Sequence, residues 1–297
     1  MAMVTTTYPG KLNITGEYCQ WFGYPTILGA IDRYTTVSLS TASKYQQPIN
    51  PLVGEAEKIA CKIVSQRKQK LTPYRLSISS TLHIGSGMGS SSSVSAAIID
   101  AILQFHHIFL TKPALNELVF QADTFQHGDP AGDDNAAVVF GGLIRFQKKD
   151  DVISIHHLSQ SIPQTYLIHT GTPKETSKDM LTSTRALPTS ILEKILHPMG
   201  KLAEQFEQEF TQGNWNPSLL SQTQHLLEQL NVVSENTIYL VREIEKIGGF
   251  AKISGAGGRT NGSGMLLVWH KDEEKLHKTI KKLGYVVENI VIGKSLT

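Results

Sequence analysis

The chain reads as an α+β protein in which strand pairs are flanked by helices, rather than as a doubly wound parallel sheet. Two features carry that expectation. Runs rich in β-branched and aromatic residues recur in the first half, near residue 150 and at the C-terminus. Between them lie longer segments whose apolar residues repeat at helical spacing.

In chain order, Pro9-Gly10 is expected to turn tightly and set Lys11 ahead of a short strand. Tyr34–Ser40 alternates with period two and is a strand. Leu52 to Gln69 carries Ala56, Ile59, Ala60 and Ile63 at the spacing of an amphipathic helix. Tyr74–Leu82 returns to a strand and delivers the chain to a glycine-rich loop. Behind that loop, Val94, Ile98, Ile102, Phe105 and Phe109 keep helical spacing, and another helix is expected from Ala114 to Gln126. The glycines and proline of His127–Asn135 break it. Leu143–Phe146 is a further strand. The charged turn Lys148-Lys149-Asp150-Asp151 marks the expected division into a nucleotide-binding domain of residues 1–150 and a second domain of residues 151–297. Strands at Val152–Ile155 and Tyr166–His169 follow, then two or three helices between Ser190 and Ile247 with a break at Gly213–Pro217. The end reads as strand Gly249–Ile253, strand Gly264–Trp269, helix Lys271–Leu283 and strand Tyr285–Ile292.

Composition removes several functional classes. With 297 residues, of which 40% are hydrophobic and 18% charged, a large core is within reach and wholesale disorder is excluded. A formal net charge of +2 is too small to suggest a nucleic-acid partner. Cys19 and Cys61 are the 2 cysteines, too few for a disulfide framework or a zinc cluster. No stretch approaches the ~18 apolar residues that span a bilayer. Met1–Tyr8 has neither a basic nor a long apolar region, so a cytoplasmic location with no membrane attachment is expected.

The chemistry concentrates in four segments. Gly85-Ser86-Gly87-Met88-Gly89 runs into Ser90-Ser91-Ser92-Ser93, which open the apolar helical segment. Glycines let backbone N–H groups turn inward, and a helix N-terminus adds a positive dipole end, so together they make a phosphate cradle. The hydroxyls suit phosphate oxygens or Mg²⁺. No Gly-Lys-[Ser/Thr] follows, so this is not a Walker loop, and it lacks the Gly-x-Gly-x-x-Gly of a dinucleotide turn; a plain flexible Gly/Ser loop is the competing reading. The other segments are Pro9–Tyr18 with its single lysine, the acidic stretch holding Asp123, Asp129, Asp133 and Asp134, and a second glycine-rich turn, Lys252–Gly258. Taken together they fit Mg²⁺-nucleotide chemistry.

In order and spacing, Pro9–Tyr18, Gly85–Ser92 and Ser254–Gly258 resemble the three motifs of the GHMP kinase superfamily. Within it, His127-Gly128-x-Pro130-Ala131-Gly132-x-Asp134-Asn135 resembles a segment of mevalonate kinases, and Leu230–Ser234 their lead-in to the third motif. The resemblance implies a two-domain fold, the first like domain 2 of ribosomal protein S5 and the second a ferredoxin-like α/β sandwich. It implies ATP and Mg²⁺ as cofactors and phosphorylation of the mevalonate hydroxyl, with phosphomevalonate as the alternative acceptor and a silent sensor as a third reading. It also implies residue roles. Asp134 would take the hydroxyl proton beside Lys11, and Gly85 to Ser92 would cradle the ATP phosphates. Ser91 and Asp123 would ligate Mg²⁺, while Glu17, Tyr18, Ser254, Gly255 and Ala256 would meet the substrate. A homodimer is the assembly the family suggests.

Some residues depart from the pattern. Tyr18 stands where mevalonate kinases have histidine, a substitution shared with bacterial phosphomevalonate kinases, and Thr170–Thr176 also looks closer to the latter. Arg259-Thr260-Asn261 interrupts the third glycine run, with surface decoration or a fork for a carboxylate or phosphate as its two readings. His83 replaces a proline without expected consequence. Asp129 and Asp133 read as solvated turn residues.

Overall fold

The computed structural model describes residues 3–150 and 152–293, so Met1, Ala2 and Asp151 of the segments above lie outside the described residues. β1 (Met3–Thr15) and β2 (Thr26–Thr41) form a long antiparallel pair. The expected Pro9-Gly10 turn does not form. β1 runs straight through it, and the register shifts between Pro9 and Lys11 instead. A bulge tolerates a residue with no N–H and twists the strand locally. Here it turns the Lys11 amide out of the ladder and onto the Met88 carbonyl at 2.9 Å.

α1 (Pro51–Gln66) starts where the Asn50 side chain accepts the Val53 amide at 2.9 Å and Pro51 opens the first turn. β3 (Tyr74–Ser80) pairs with β2. α2 (Ser90–Phe105) is the serine-led helix and α3 (Lys112–His127) follows it. α4 (Asp133–Phe140) occupies a stretch that the sequence marked only as a break. β4 (Leu143–Lys149) and β5 (Val152–Leu158) close a hairpin. The sheet therefore runs β1-β2-β4-β5 with β3 on β2. The charged turn is the bend of that hairpin, so the chain leaves this sheet after Leu158 rather than at residue 150. Turn chemistry and a domain linker look alike in sequence, and strand pairing decides between them.

The second sheet opens with β6 (Thr165–His169). α5 (Ser177–Arg185), capped reciprocally by Thr176 and Asp179, was not anticipated. α6 (Thr189–Thr211), α7 (Ser218–Gln229) and α8 (Glu235–Lys246) fill the expected helical region. β7 (Phe250–Ile253), β8 (Met265–Trp269), α9 (Glu273–Lys282) and β9 (Val287–Ile290) complete the order β7-β8-β6-β9. Every pairing between these strands is antiparallel, as an α+β chain requires. Among the described residues no helix is long and apolar enough to cross a membrane.

Among the described residues, four apolar clusters hold the layers, the smallest packing Ala136 and Ala137 of α4 on Leu28, Ile144 and Phe146. Of the others, one packs α1, α2 and α3 on β2, and a second packs α6 and α8 on the other sheet. The third joins the sheets, with Leu12, Ile14 and Ile27 meeting Leu167, Met265 and Leu267. Met88 is buried in that junction, so the glycine loop is anchored by its own side chain at the seam between the sheets.

Candidate active site

The glycine loop is clamped from both sides. Ser86 gives its carbonyl to the Met265 amide at 3.0 Å, and its hydroxyl meets His169 Nε2 at 3.1 Å. The second glycine turn presses on the first at Gly87, which has a φ of +80°; a Cβ there would lie 2.0 Å from the Ser254 carbonyl oxygen. At Gly89, with a φ of +66°, a Cβ would meet Lys11 Cγ at 2.8 Å. Only glycine fits both the left-handed backbone and the close approach. The loop thus delivers the N-terminus of α2, whose first amides lack intrahelical partners, beside Lys11.

Lys11 is almost wholly buried, yet its ammonium reaches Asp134 Oδ1 at 2.7 Å and Asn13 Oδ1 at 2.6 Å. Asp134 keeps 41% of its side chain exposed. It sits in the first turn of α4, where an acidic residue faces the positive end of the helix. The sequence-predicted pair Lys11 and Asp134 is therefore in direct contact, although 123 positions separate them (134 − 11).

The other carboxylates differ in their surroundings. Asp123 is buried on α3; its Oδ2 accepts from Ser92 Oγ at 2.6 Å, and its enclosed Oδ1 has no partner among the described residues. Burial pushes its pKa up to about 7, opposed by the Ser92 and Ser91 hydroxyls and helped by the charge of Asp134. An orphaned carboxylate oxygen beside hydroxyls is a hard-oxygen donor set that suits Mg²⁺. Among the described residues no group of three or more His, Cys, Asp or Glu is arranged around a metal, so a divalent ion here would also need phosphate oxygens. Ser91 itself faces His127 Nε2 at 3.1 Å, and burial lowers the His127 pKa. Ser92 is fully buried and turned to Asp123, so it does not line the cavity as the resemblance implied. Asp133 corrects the sequence reading. It is buried rather than solvated, and burial and then the neighbouring Asp134 charge push its pKa up to about 7. Asp129 remains exposed, paired with Arg185 at 2.6 Å.

Two cavities meet at this cluster. The larger, about 400 Å³, is lined by Gly85 to Ser91, Ser254, Ala256 and Gly257, and by an apolar wall of Ile49, Leu52, Val53, Ile78, Ile84 and Val94. The smaller, about 100 Å³, is lined by Lys11, Asn13, Glu17, Tyr18, Asp123, Gly255 and Ala256. His127 and Asp134 line both. An elongated ligand with an apolar ring and a phosphate tail fits the first, a small polar one fits the second, and their reacting ends would converge on Asp134. Residues of the apolar wall come from the 42–50 loop, α1, β3 and α2, too dispersed for a sequence motif.

Comparison with known proteins agrees with this arrangement. Residues 54–142, which contain the loop, Asp123 and Asp134, match the family described as GHMP kinases N terminal domain. A mevalonate kinase of Thermococcus sibiricus is 25% identical over 296 residues, covering 86% of each chain. The chain is similar to GHMP kinases through this N-terminal segment and to mevalonate kinases over most of its length, and it is a small-molecule kinase. Among solved structures, L. major mevalonate kinase in complex with R-mevalonate superposes with a TM-score of 0.80 at 18% identity, covering 98% of this chain and 97% of that one. Streptococcus pneumoniae phosphomevalonate kinase, in complex with phosphomevalonate and AMPPNP, also gives 0.80 at 18% identity, covering 97% and 99%.

Other residues of this kinase take structural positions. Tyr18 has a left-handed φ of 65° and donates its hydroxyl to the Ala256 carbonyl at 2.6 Å, locking the first motif to the third. Burial raises its pKa. Glu17 pairs with Lys252 inside the protein, and its other, enclosed carboxylate oxygen has no partner among the described residues. Arg259 lines neither cavity. Its guanidinium is bonded to the Asn231 carbonyl and the Ser183 hydroxyl, and its amide reaches Glu175 at 3.3 Å. It fastens the third glycine turn to α5 and is neither surface decoration nor a free fork. His83 stacks on His169 with ring centroids 4.8 Å apart.

Proposed function

We propose that this kinase transfers the γ-phosphoryl group of ATP to the hydroxyl of mevalonate. The observation that carries the reading is the Lys11–Asp134 contact of 2.7 Å at the junction of two cavities, one shaped for a nucleotide and one for a small polar acceptor. The named mevalonate kinases among the relatives support the choice of acceptor.

Phosphoryl transfer asks the protein for alignment and charge neutralisation more than for covalent help. The loop amides and the α2 N-terminus hold the phosphates, and the apolar wall receives the adenine ring. Asp134 accepts the acceptor's hydroxyl proton while that oxygen bonds to the γ-phosphorus and the bond to the β–γ bridging oxygen breaks, leaving ADP. A lone carboxylate is a weak base for an alcohol. Lys11, held by Asn13, lowers the cost of the negative charge that develops on the attacking oxygen. Asp123 and Ser91 would hold Mg²⁺, which when bound offsets the triphosphate charge.

Phosphomevalonate is the second reading, because Tyr18 stands where mevalonate kinases have histidine and a phosphomevalonate kinase shares the fold. Coupled detection of ADP release with each acceptor decides between them. Turnover with mevalonate is expected, and turnover with phosphomevalonate alone overturns the first reading.

A further inference from the structure

Lys252 is a fully buried cation that the reaction scheme leaves unused. It stands on β7, at the lead-in to the second glycine turn, and reaches across the seam to β1. Its ammonium donates to the Glu17 carboxylate, to the Asn13 carbonyl at 3.1 Å and to the Ile253 carbonyl at 2.7 Å. These are all the donors a lysine has. A counter-ion for Glu17 would need only the first of them. Burial depresses the Lys252 pKa and the Glu17 charge opposes that.

The geometry around Asn13 gives the second contact its meaning. The Asn13 amide donates to the Ser254 hydroxyl at 3.0 Å, so the residue is held to the β7 segment at both its N–H and its C=O. Its side-chain oxygen then accepts from Lys11 at 2.6 Å, and Lys11 meets Asp134 at 2.7 Å. Contacts thus run without a gap from Lys252 in one sheet to the cavity-facing carboxylate beside the other. We propose that Lys252 is a positioning residue that fixes Asn13 and, through the Asn13 side chain, sets Lys11 against Asp134. The proposal rests on the assignment of those two residues to the transfer step.

Its test is a kinetic cycle of Lys252→Met, Asn13→Ala and the double variant, with crystal structures of the single variants. Displacing a reacting group by about 1 Å costs on the order of 100-fold, so Lys252→Met should lower kcat about 10- to 100-fold while the KM for ATP moves less than about twofold. In the Asn13→Ala background, where the link to Lys11 is already cut, the same substitution should cost less than about threefold. The variant structure should show Lys11 away from Asn13 or Asp134. If Lys252→Met does not fold, Lys252→Arg keeps a cation for Glu17 but offers a planar fork in place of the ammonium, and serves in the same cycle. A folded variant with undiminished kcat, or a loss that multiplies in full on Asn13→Ala, overturns the proposal. So does a variant structure in which Lys11 keeps both contacts, and that readout holds whichever alcohol proves to be the acceptor. Failure of the unsubstituted enzyme to turn over either acceptor counts against the functional reading alone.

Discussion

Two lysine–carboxylate pairs flank β1 and use the same residue types to opposite ends. In the Lys252–Glu17 pair both partners are enclosed, at 0% and 3% side-chain exposure. In the Lys11–Asp134 pair the lysine is just as deep, at 2%, but the aspartate is 41% exposed and borders both cavities. The difference lies in the acid alone. Glu17 borders the acceptor cavity but exposes almost none of its carboxylate, and its buried charge is tolerable only while the cation stays beside it. An open carboxylate can meet a ligand, and solvent screens its attraction to the lysine. Exposure of the acid, rather than the chemistry of the pair, separates an anchoring contact from a reactive one.

The comparison breaks most visibly at Asp134. Asp134→Asn removes the proton acceptor and leaves the phosphate cradle, so kcat should fall by ~10²–10⁴-fold. ATP affinity, measured by calorimetry, should be nearly unchanged, and stability should fall by less than in Glu17→Gln, because the aspartate end of the pair is open to solvent and Asn13 still accepts from the buried Lys11. Retained turnover would remove Asp134 from the mechanism. Glu17→Gln should do the reverse. It strands a buried ammonium, and breaking such a pair costs about 3–5 kcal/mol, to be read from the denaturation midpoint at constant m-value. A midpoint shift as small as that of Asp134→Asn would erase the distinction between the pairs.

Ser91→Ala probes the neighbouring hydroxyls. Loss of one oxygen near a bound metal should raise the Mg²⁺ concentration needed for half-maximal rate by about tenfold. Ser92→Ala should act differently, since Ser92 already donates to Asp123 at 2.6 Å and lies outside the cavity. Identical Mg²⁺ titrations for wild type and Ser91→Ala would transfer the ligand role away from Ser91.

Much of this was legible in the sequence because the site is assembled from short local motifs. Gly85–Ser92, Lys11, Asp123 and Asp134 each announce themselves by a turn, a helix start or a lone charge, and the fold brings them within reach of one another. What was not legible depends on burial and on distant partners. Nothing local distinguishes Asp133 from Asp134, yet the first turn of α4 buries one and leaves the other 41% exposed. Arg259 read as surface decoration or a free fork because its partners, Asn231 and Ser183, lie 28 and 76 positions away. Pro9-Gly10 looked like a turn because the bulge that absorbs it exists only against β2.

That contrast between adjacent aspartates yields the smallest effect and the one with a clear pH signature. Burial, reinforced by the Asp134 charge, raises the Asp133 pKa from the ordinary 3.8 to about 7. Between those values the unfolded chain releases its proton while the folded chain holds it, so the folded form binds more protons and stability falls as pH rises. The penalty is absent below about pH 4 and complete above about pH 7. Asparagine cannot ionise and keeps an oxygen for the local amides that Asp133 uses. Asp133→Asn should therefore match wild type near pH 4 and be more stable by about 1 kcal/mol at pH 8, the helix N-terminus having already offset part of the charge. Parallel melting curves for the two proteins across that range check the sign. An advantage that is largest at acid pH would mean that Asp133 is held ionised in the fold, and that both aspartates of α4, not Asp134 alone, carry charge at the junction of the cavities.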